Sequence, residues 1–269
     1  MAANGITLDT PPSRRPYSEF VIYRYTLLSD PPSAARPTTV AASQGERDES
    51  GKLFFPNSPD FRPALTPREC LLRGVFGGCY FNPKGGKEGI FGRSVAIDHT
   101  EFPAGWFESP LSEDMYQARR YLATRNRYGV KSGQDQAFWE SKGWIHERDP
   151  RGWFQWYCRF YQGSPLAGPP TQPTQAPYLT LYLALFITDT SVFLSSTAGR
   201  RCDDDERQIK RWAACAGAKG RWRGQLCGKV KKEGKAWDDE MVSPVIRQTL
   251  LHWAYELNAV DWEAWRATH

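Results

Sequence analysis

The chain has 269 residues, of which 40% are hydrophobic, 14% are aromatic and 11 are tryptophan. This apolar content suffices for a core, so the composition excludes a chain that is disordered throughout. The net charge of +5 is unevenly spread, because the segment 200–235 carries 12 Lys and Arg against five Asp and Glu. Such a concentration of positive charge favours an acidic partner, such as nucleic acid.

The cysteines and histidines follow no metal-binding or disulfide pattern. The six cysteines are scattered without a Cys-x-x-Cys pair, and there are only four histidines. We therefore predict no metal, no cofactor and no disulfide framework. The N-terminus has no basic segment followed by an apolar one, which predicts reduced thiols and a location in the nucleus or the cytoplasm.

The N-terminal 63 residues are rich in Pro, Ser, Thr and Arg and predict a mostly disordered arm, with a possible short strand at 19–28. We expect one mainly α-helical domain at 64–269. Its first helix is predicted at Thr66–Glu69, where a capping threonine, a proline and a capping-box glutamate follow one another, and Gly74 is expected to end it. The glycine-rich segment 75–93 predicts irregular turns or short strands.

Three further helices are predicted before residue 163. Two lie at 112–124 and 134–142, and Asp149 and Pro150 are expected to cap and begin the third. One face of the third helix is aromatic and consists of Trp153, Trp156, Tyr157 and Phe160. These residues recur at i, i+3, i+4 and i+7, a spacing that predicts burial in the core.

The segment 164–199 differs in composition from its surroundings, with a Pro/Thr/Gln-rich stretch before an apolar run at 178–194. The run is shorter than the roughly 20 apolar residues that a membrane span needs and has no basic belt before it, so we predict no membrane association. Codons for Gly163-Ser164 and Ala198-Gly199 can contain a splice donor and a splice acceptor. We therefore interpret 164–199 as an anomalous insert, namely a retained intron.

The C-terminal part predicts three helices. The acids Asp203–Glu206 begin a helix that continues to 216, and the turn Gly217–Gly220 leads into a basic helix at 221–232. A third helix is predicted at Ser243–Leu257. Three helices with a glycine turn and a cationic second helix have the outline of a helix-turn-helix DNA reader.

Arginine and tryptophan alternate in this part, which offers guanidinium groups for phosphates and planar rings for base stacking. We therefore predict a nucleic-acid-binding protein whose partner is DNA or RNA. The predicted contact residues are Arg200, Arg201, Arg207, Arg211, Trp212, Arg221, Trp222 and Arg223.

Two alternative functions stay open. An enzyme acting on nucleic acid would use a carboxylate from Asp203–Glu206, and its catalytic candidates are Asp204, Asp205 and His146. Acids at a helix start are more often caps, and a lone histidine is more often a hydrogen-bonded surface residue. A protein-interaction module with a protein partner would instead use tryptophans as interface anchors.

Short motifs on both sides of the insert are similar to those of one protein family. They are Tyr128–Lys131 (YGVK), Phe138–Glu140 (FWE), Lys142–Ile145 (KGWI), Asp149–Pro150, Gly152–Tyr161 (GWFQWYCRFY), Arg200–Arg201, Asp204–Ile209, Arg211–Trp212 and Gly220–Trp222 (GRW). Through these motifs the chain from Leu65 to Trp253 resembles a family of eukaryotic and large-virus proteins for which no activity is established. Such relatives lack 164–199. The resemblance implies a domain boundary and no mechanism.

Overall fold

The computed structural model describes residues 46–55, 58–90, 92–146, 149–162 and 203–269, and the protein is mainly helical in these ranges. The α-helices are α1 (Pro67–Leu72), α2 (Gln136–Ser141), α3 (Trp153–Tyr161), α4 (Asp203–Ala216), α5 (Arg221–Glu233), α6 (Pro244–Leu251) and α7 (Ala259–Arg266). Strands β1 (Glu46–Arg47) and β2 (Leu53–Phe54) form an antiparallel pair in which Glu46 lies opposite Phe54. None of the described helices combines the length and the apolar composition that crossing a bilayer requires.

Two predicted features lie outside the described residues, namely the possible strand at 19–28 and the insert at 164–199. The packed region, in contrast, begins earlier than the predicted boundary at residue 64. Leu53 and Phe61 are 0% exposed, and the backbone N–H of Leu53 donates to the carbonyl of Pro63 at 2.9 Å. The described residues 46–55 and 58–63 therefore belong to the folded part, because they supply side chains that complete its core.

The first helix has the predicted ends. The Thr66 side chain accepts from the backbone of Glu69, whose carboxylate accepts from the Thr66 backbone, and Pro67 begins α1. Gly74 follows the helix with φ +60°, and a Cβ atom there would lie 1.8 Å from the carbonyl oxygen of Arg125. Both the left-handed backbone and this close approach require glycine.

The predicted helix at 112–124 is wrong, since that segment contains only single 3-10 turns at Glu113–Met115 and Ala123–Arg125. Its backbone makes tertiary hydrogen bonds instead: Ala118 donates to the Gly78 carbonyl at 2.8 Å, and Leu122 donates to that of Gly77 at 3.0 Å. Acceptors in the glycine-rich segment thus replace those of a helix. As predicted, the glycine-rich segment 75–93 contains turns and no helix in its described residues.

Helix α3 supplies the aromatic face that was predicted for the core. Trp153, Trp156 and Tyr157 are at most 8% exposed, whereas the fourth member, Phe160, is half-buried. The Tyr157 hydroxyl donates to the carbonyl of Leu65 at 2.6 Å. The helix begins after Gly152, not at Pro150, so the prediction that Asp149 caps it is wrong. Asp149 instead pairs with the backbone of His146 in an isolated antiparallel bridge.

The C-terminal helices surround α5. This helix packs against α4, α6 and α7, while α3 packs against both α1 and α4. The predicted third helix is shorter than expected, because α6 ends at Leu251 and Ala254 takes a left-handed backbone conformation with φ +51°. A further helix, α7, then begins at Ala259 and is capped by Asn258, whose side chain accepts from the backbone N–H of Asp261 at 2.8 Å.

His252, which follows α6, should make stability fall on acidification. Its ring stacks on Phe76 and its Nε2 donates to the Val75 carbonyl at 2.8 Å, while burial lowers its pKa to about 4. The unfolded chain binds the proton with a pKa near 6.5, so stability is lost as the pH falls from about 6.5 to 4. The loss should reach up to about 3 kcal/mol for this residue alone.

Urea denaturation of the protein and of His252→Gln between pH 7 and pH 4 measures this effect, because other titrating groups contribute equally to both. The stability difference between the two should shrink as the pH falls. The exposed terminal histidine provides the control, and His269→Gln should follow the unsubstituted protein at every pH. A constant difference between the protein and His252→Gln would contradict the prediction.

Candidate nucleic-acid interface

Helix α5 has one buried side and one exposed basic side. Leu226, Cys227 and Val230 are 0% exposed and face the neighbouring helices. Lys229 and Lys232 lie on the exposed side together with Arg221 at the beginning of the helix. The amphipathic spacing explains this division, since apolar residues recur at i, i+1 and i+4 while Arg221, Lys229 and Lys232 lie on the opposite arc.

The basic face of α5, defined by Arg221, Lys229 and Lys232, is a row of cations along the helix. At 1.5 Å and 100° per residue, the three side chains span about 17 Å within an arc of about 80°. None of them forms an ion pair with another residue of the described ranges. The Arg221 guanidinium lies 4.7 Å from the ring centre of the half-buried Trp222. The row therefore offers positive charge to a solvent-side partner.

Two of the predicted contact residues are instead part of the core. Trp212 is 4% exposed and its indole N–H donates to the Trp253 carbonyl at 2.9 Å, so its ring is not available for base stacking. Arg223 is 6% exposed and its guanidinium lies 3.0 Å from a carboxylate oxygen of Asp261. In this arrangement the charge of Arg223 is compensated inside the protein.

Arg207 and Arg211 lie on α4 and have partners of their own. Arg207 forms an ion pair with Asp204. Arg211 donates to the Trp144 carbonyl at 2.8 Å, with its guanidinium 5.3 Å from that ring, and burial lowers the pKa of Arg211 to about 10. Arg211 therefore stays cationic at neutral pH. Arg200 and Arg201 lie outside the described residues.

A shallow groove of about 450 Å³ lies on the side of α4 that carries Arg207 and Arg211. Its lining consists of Glu206, Arg207, Lys210, Arg211 and Ala214. Lys210 forms an ion pair with Glu206 on the helix surface, so the groove holds both signs of charge. Three of its five lining residues are cationic. An anionic polymer that binds α4 would therefore lie along the groove.

The three catalytic candidates fall into two environments. The indole N–H of Trp156 donates to Asp205 at 2.8 Å, which joins α3 to α4 and gives Asp205 a structural contact. Asp204 is 3% exposed, and its Oδ2 accepts from Gln208 at 2.9 Å. The Nδ1 atom of His146 lies 4.0 Å from the same oxygen. The structure thus brings His146 and Asp204 together and separates Asp205 from them.

Asp149, which was predicted to cap a helix, completes this group. It can offer one ligand atom, as can His146 and Asp204, and these atoms lie within 4.8 Å of one another. Burial raises the pKa of Asp149 to about 6 and the nearby Asp204 acts in the same direction, while Arg159, bonded at 2.8 Å, opposes the shift. A carboxyl group with such a pKa can give up or take a proton near neutral pH.

Comparison of the chain with protein-family models, curated proteins and solved structures found no match. The resemblance to a eukaryotic and large-virus family therefore stays a prediction from its motifs.

Proposed function

We propose that this protein binds nucleic acid through the basic face of α5. The observation that supports the proposal is that Arg221, Lys229 and Lys232 are exposed, aligned and without ion-pair partners in the described ranges. Unpaired cations on a helix attract the phosphate backbone, and each phosphate contact releases a counterion. The short Gly217–Gly220 connection between α4 and α5 gives the pair a helix-turn-helix-like outline, with α5 in the position of the recognition helix.

The tryptophans support the protein-interaction alternative less well. Trp144, at 42% exposure, is the most exposed of the eleven, and the others are buried or half-buried. Interface anchors must reach a partner from the surface. We therefore retain Trp222 and Trp144 as the rings that could stack on a base, and we leave the buried Trp212 and Arg223 out of the proposed contact set.

Neutralising the basic face tests the proposal. The triple variant Arg221→Gln, Lys229→Gln, Lys232→Gln should bind duplex DNA at least about 10-fold more weakly near 0.1 M salt. It should also reduce the slope of log K against log salt by up to about 2.7, or roughly 0.9 for each lost phosphate contact. Fluorescence anisotropy of labelled DNA and RNA at several salt concentrations measures both quantities.

A matched control separates this site from general positive charge. The variant Lys84→Gln, Lys87→Gln, Lys131→Gln removes three exposed cations from other parts of the surface. It should retain the affinity to within about twofold, because long-range attraction between exposed charges is screened beyond the roughly 10 Å Debye length at this salt concentration. Equal losses in the two variants, or no binding by the folded protein at low salt, would contradict the proposal.

A further inference from the structure

We infer that His146, Asp149 and Asp204 form a binding site for one divalent metal ion that prefers nitrogen and oxygen ligands. Their potential ligand atoms lie within 4.8 Å of one another, and Nδ1 of His146 is 4.0 Å from Oδ2 of Asp204. Metal–ligand bonds of about 2.1 Å place two ligands on opposite sides of an ion about 4.2 Å apart. One ion therefore fits between the three side chains after small movements of their ends.

The backbone holds these ligands in place before any ion binds. His146 and Asp149 form an antiparallel bridge, in which the N–H of Asp149 donates to the His146 carbonyl at 3.0 Å. Asp204 lies in the first turn of α4, next to Asp205, which is bonded to Trp156 of α3. Two separate stretches of chain thus meet at fixed positions, and little ordering is needed on binding.

Two arginines contact the carboxylates of the site. Arg159 donates to Oδ1 of Asp149 and Arg207 to Oδ1 of Asp204, while Arg159 is shared with Glu101. Among these side chains, three carboxylates share two guanidinium groups, and the charge of Arg211 also acts on Asp204. Both arginines occupy Oδ1 atoms, and Oδ2 of Asp149 accepts no hydrogen bond from the described residues. They orient the carboxylates in the way that outer partners of metal ligands do.

A buried amide gives independent support. Gln208 is 0% exposed, and its Nε2 donates to Oδ2 of Asp204 at 2.9 Å. The other end of the same amide, Oε1, has no hydrogen-bond partner among the described atoms. A buried carbonyl oxygen without a partner is unfavourable. An ion held by Asp204, or a water bound to that ion, would supply the partner that this oxygen lacks.

The ligand types decide which ion to use as a probe. One imidazole and two carboxylates suit Mn²⁺ and other ions with nitrogen and oxygen preference, whereas thiolates select softer ions. The described residues include five free cysteines, which would confuse a titration with Zn²⁺. Mn²⁺ avoids this complication because it binds thiols weakly.

Titration of the full chain with Mn²⁺, followed by the electron paramagnetic resonance signal of the free ion, tests the inference. We expect one bound Mn²⁺ per chain, and at least 10-fold weaker binding in His146→Ala and in Asp149→Asn. His99→Ala is the matched control, since His99 also has a carboxylate nearby, with Nδ1 3.5 Å from Asp98. This control should bind Mn²⁺ as the unsubstituted protein does.

Absence of a stoichiometric site in the folded protein would overturn the inference. Equal Mn²⁺ affinity in the unsubstituted protein and in a folded His146→Ala or Asp149→Asn variant would also overturn it. Circular dichroism establishes that each variant is folded, and the His146 side chain, 22% exposed, is the position at which alanine is tolerated best. The titration contains no nucleic acid, so its outcome does not depend on the function proposed for α5.

Discussion

Replacing Asp261 with alanine should lower the free energy of unfolding by about 3 to 5 kcal/mol. The Asp261 side chain is 5% exposed and forms ion pairs with both Lys52 and Arg223, whose side chains are 14% and 8% exposed. It also accepts a hydrogen bond from the Tyr255 hydroxyl at 2.7 Å. Alanine would leave the buried Arg223 and the partly buried Lys52 without a counter-ion, which costs far more than an exposed ion pair contributes.

A control for this variant lies two residues along the same helix. Glu263 pairs with Arg266 at 2.8 Å, and both side chains are more than half exposed. Glu263→Ala should therefore change stability by no more than about 0.5 kcal/mol. Urea denaturation at constant pH measures both. A loss below about 1 kcal/mol for Asp261→Ala would mean that other groups compensate the charges of Lys52 and Arg223. The β1–β2 pair would then not be attached to α7 by this contact.

Replacing Phe61 with alanine should cost about 3 to 5 kcal/mol, because it removes the ring at the centre of the aromatic core. The side chain is 0% exposed and contacts the rings of α3 and α4: the centroid of Trp212 lies 5.1 Å away, that of Phe160 5.4 Å and that of Trp156 5.5 Å. The surrounding rings are large and rigid, so they cannot close the resulting cavity.

The neighbouring strand offers a phenylalanine for comparison. Phe54 is half-buried and lies under the guanidinium of Arg62, 4.6 Å from its ring centre. Phe54→Ala should cost about 1 kcal/mol, since this ring is already partly in water. If the midpoints of urea denaturation shift equally for both variants, residues 58–63 do not pack as described, and the folded part would begin near the predicted residue 64.

Features with a local cause could be predicted from the sequence. The capping box at Thr66, the glycine turn after α4 and the aromatic face of α3 depend on residues within one or two turns of one another, and the structure has all three. The segment 112–124 has helical periodicity but forms turns, because its backbone finds acceptors in Gly77 and Gly78. Periodicity carries no information about such distant partners.

In the candidate sites, too, features with a local cause were predictable, whereas features that depend on distant residues were not. Exposure of Arg221 on a basic helix was predictable from the charges around it, whereas the burial of Arg223 depends on Asp261, far along the chain. His146 and Asp204 were separate candidates until folding placed them together. The signal for Asp149 was its position three residues after His146, but the proline that follows it, Pro150, favoured a helix cap instead.

The distribution of the tryptophans has an optical consequence. Trp144 is 42% exposed while the other ten rings are shielded to a greater degree, so a collisional quencher such as iodide reaches its indole first. The cationic Arg211, which lies over this ring and also lines the groove on α4, increases the local concentration of an anionic quencher. Trp144 is therefore an intrinsic fluorescent probe beside the groove on α4. A ligand that occupies the groove would change the emission intensity of Trp144 or reduce its quenching by iodide.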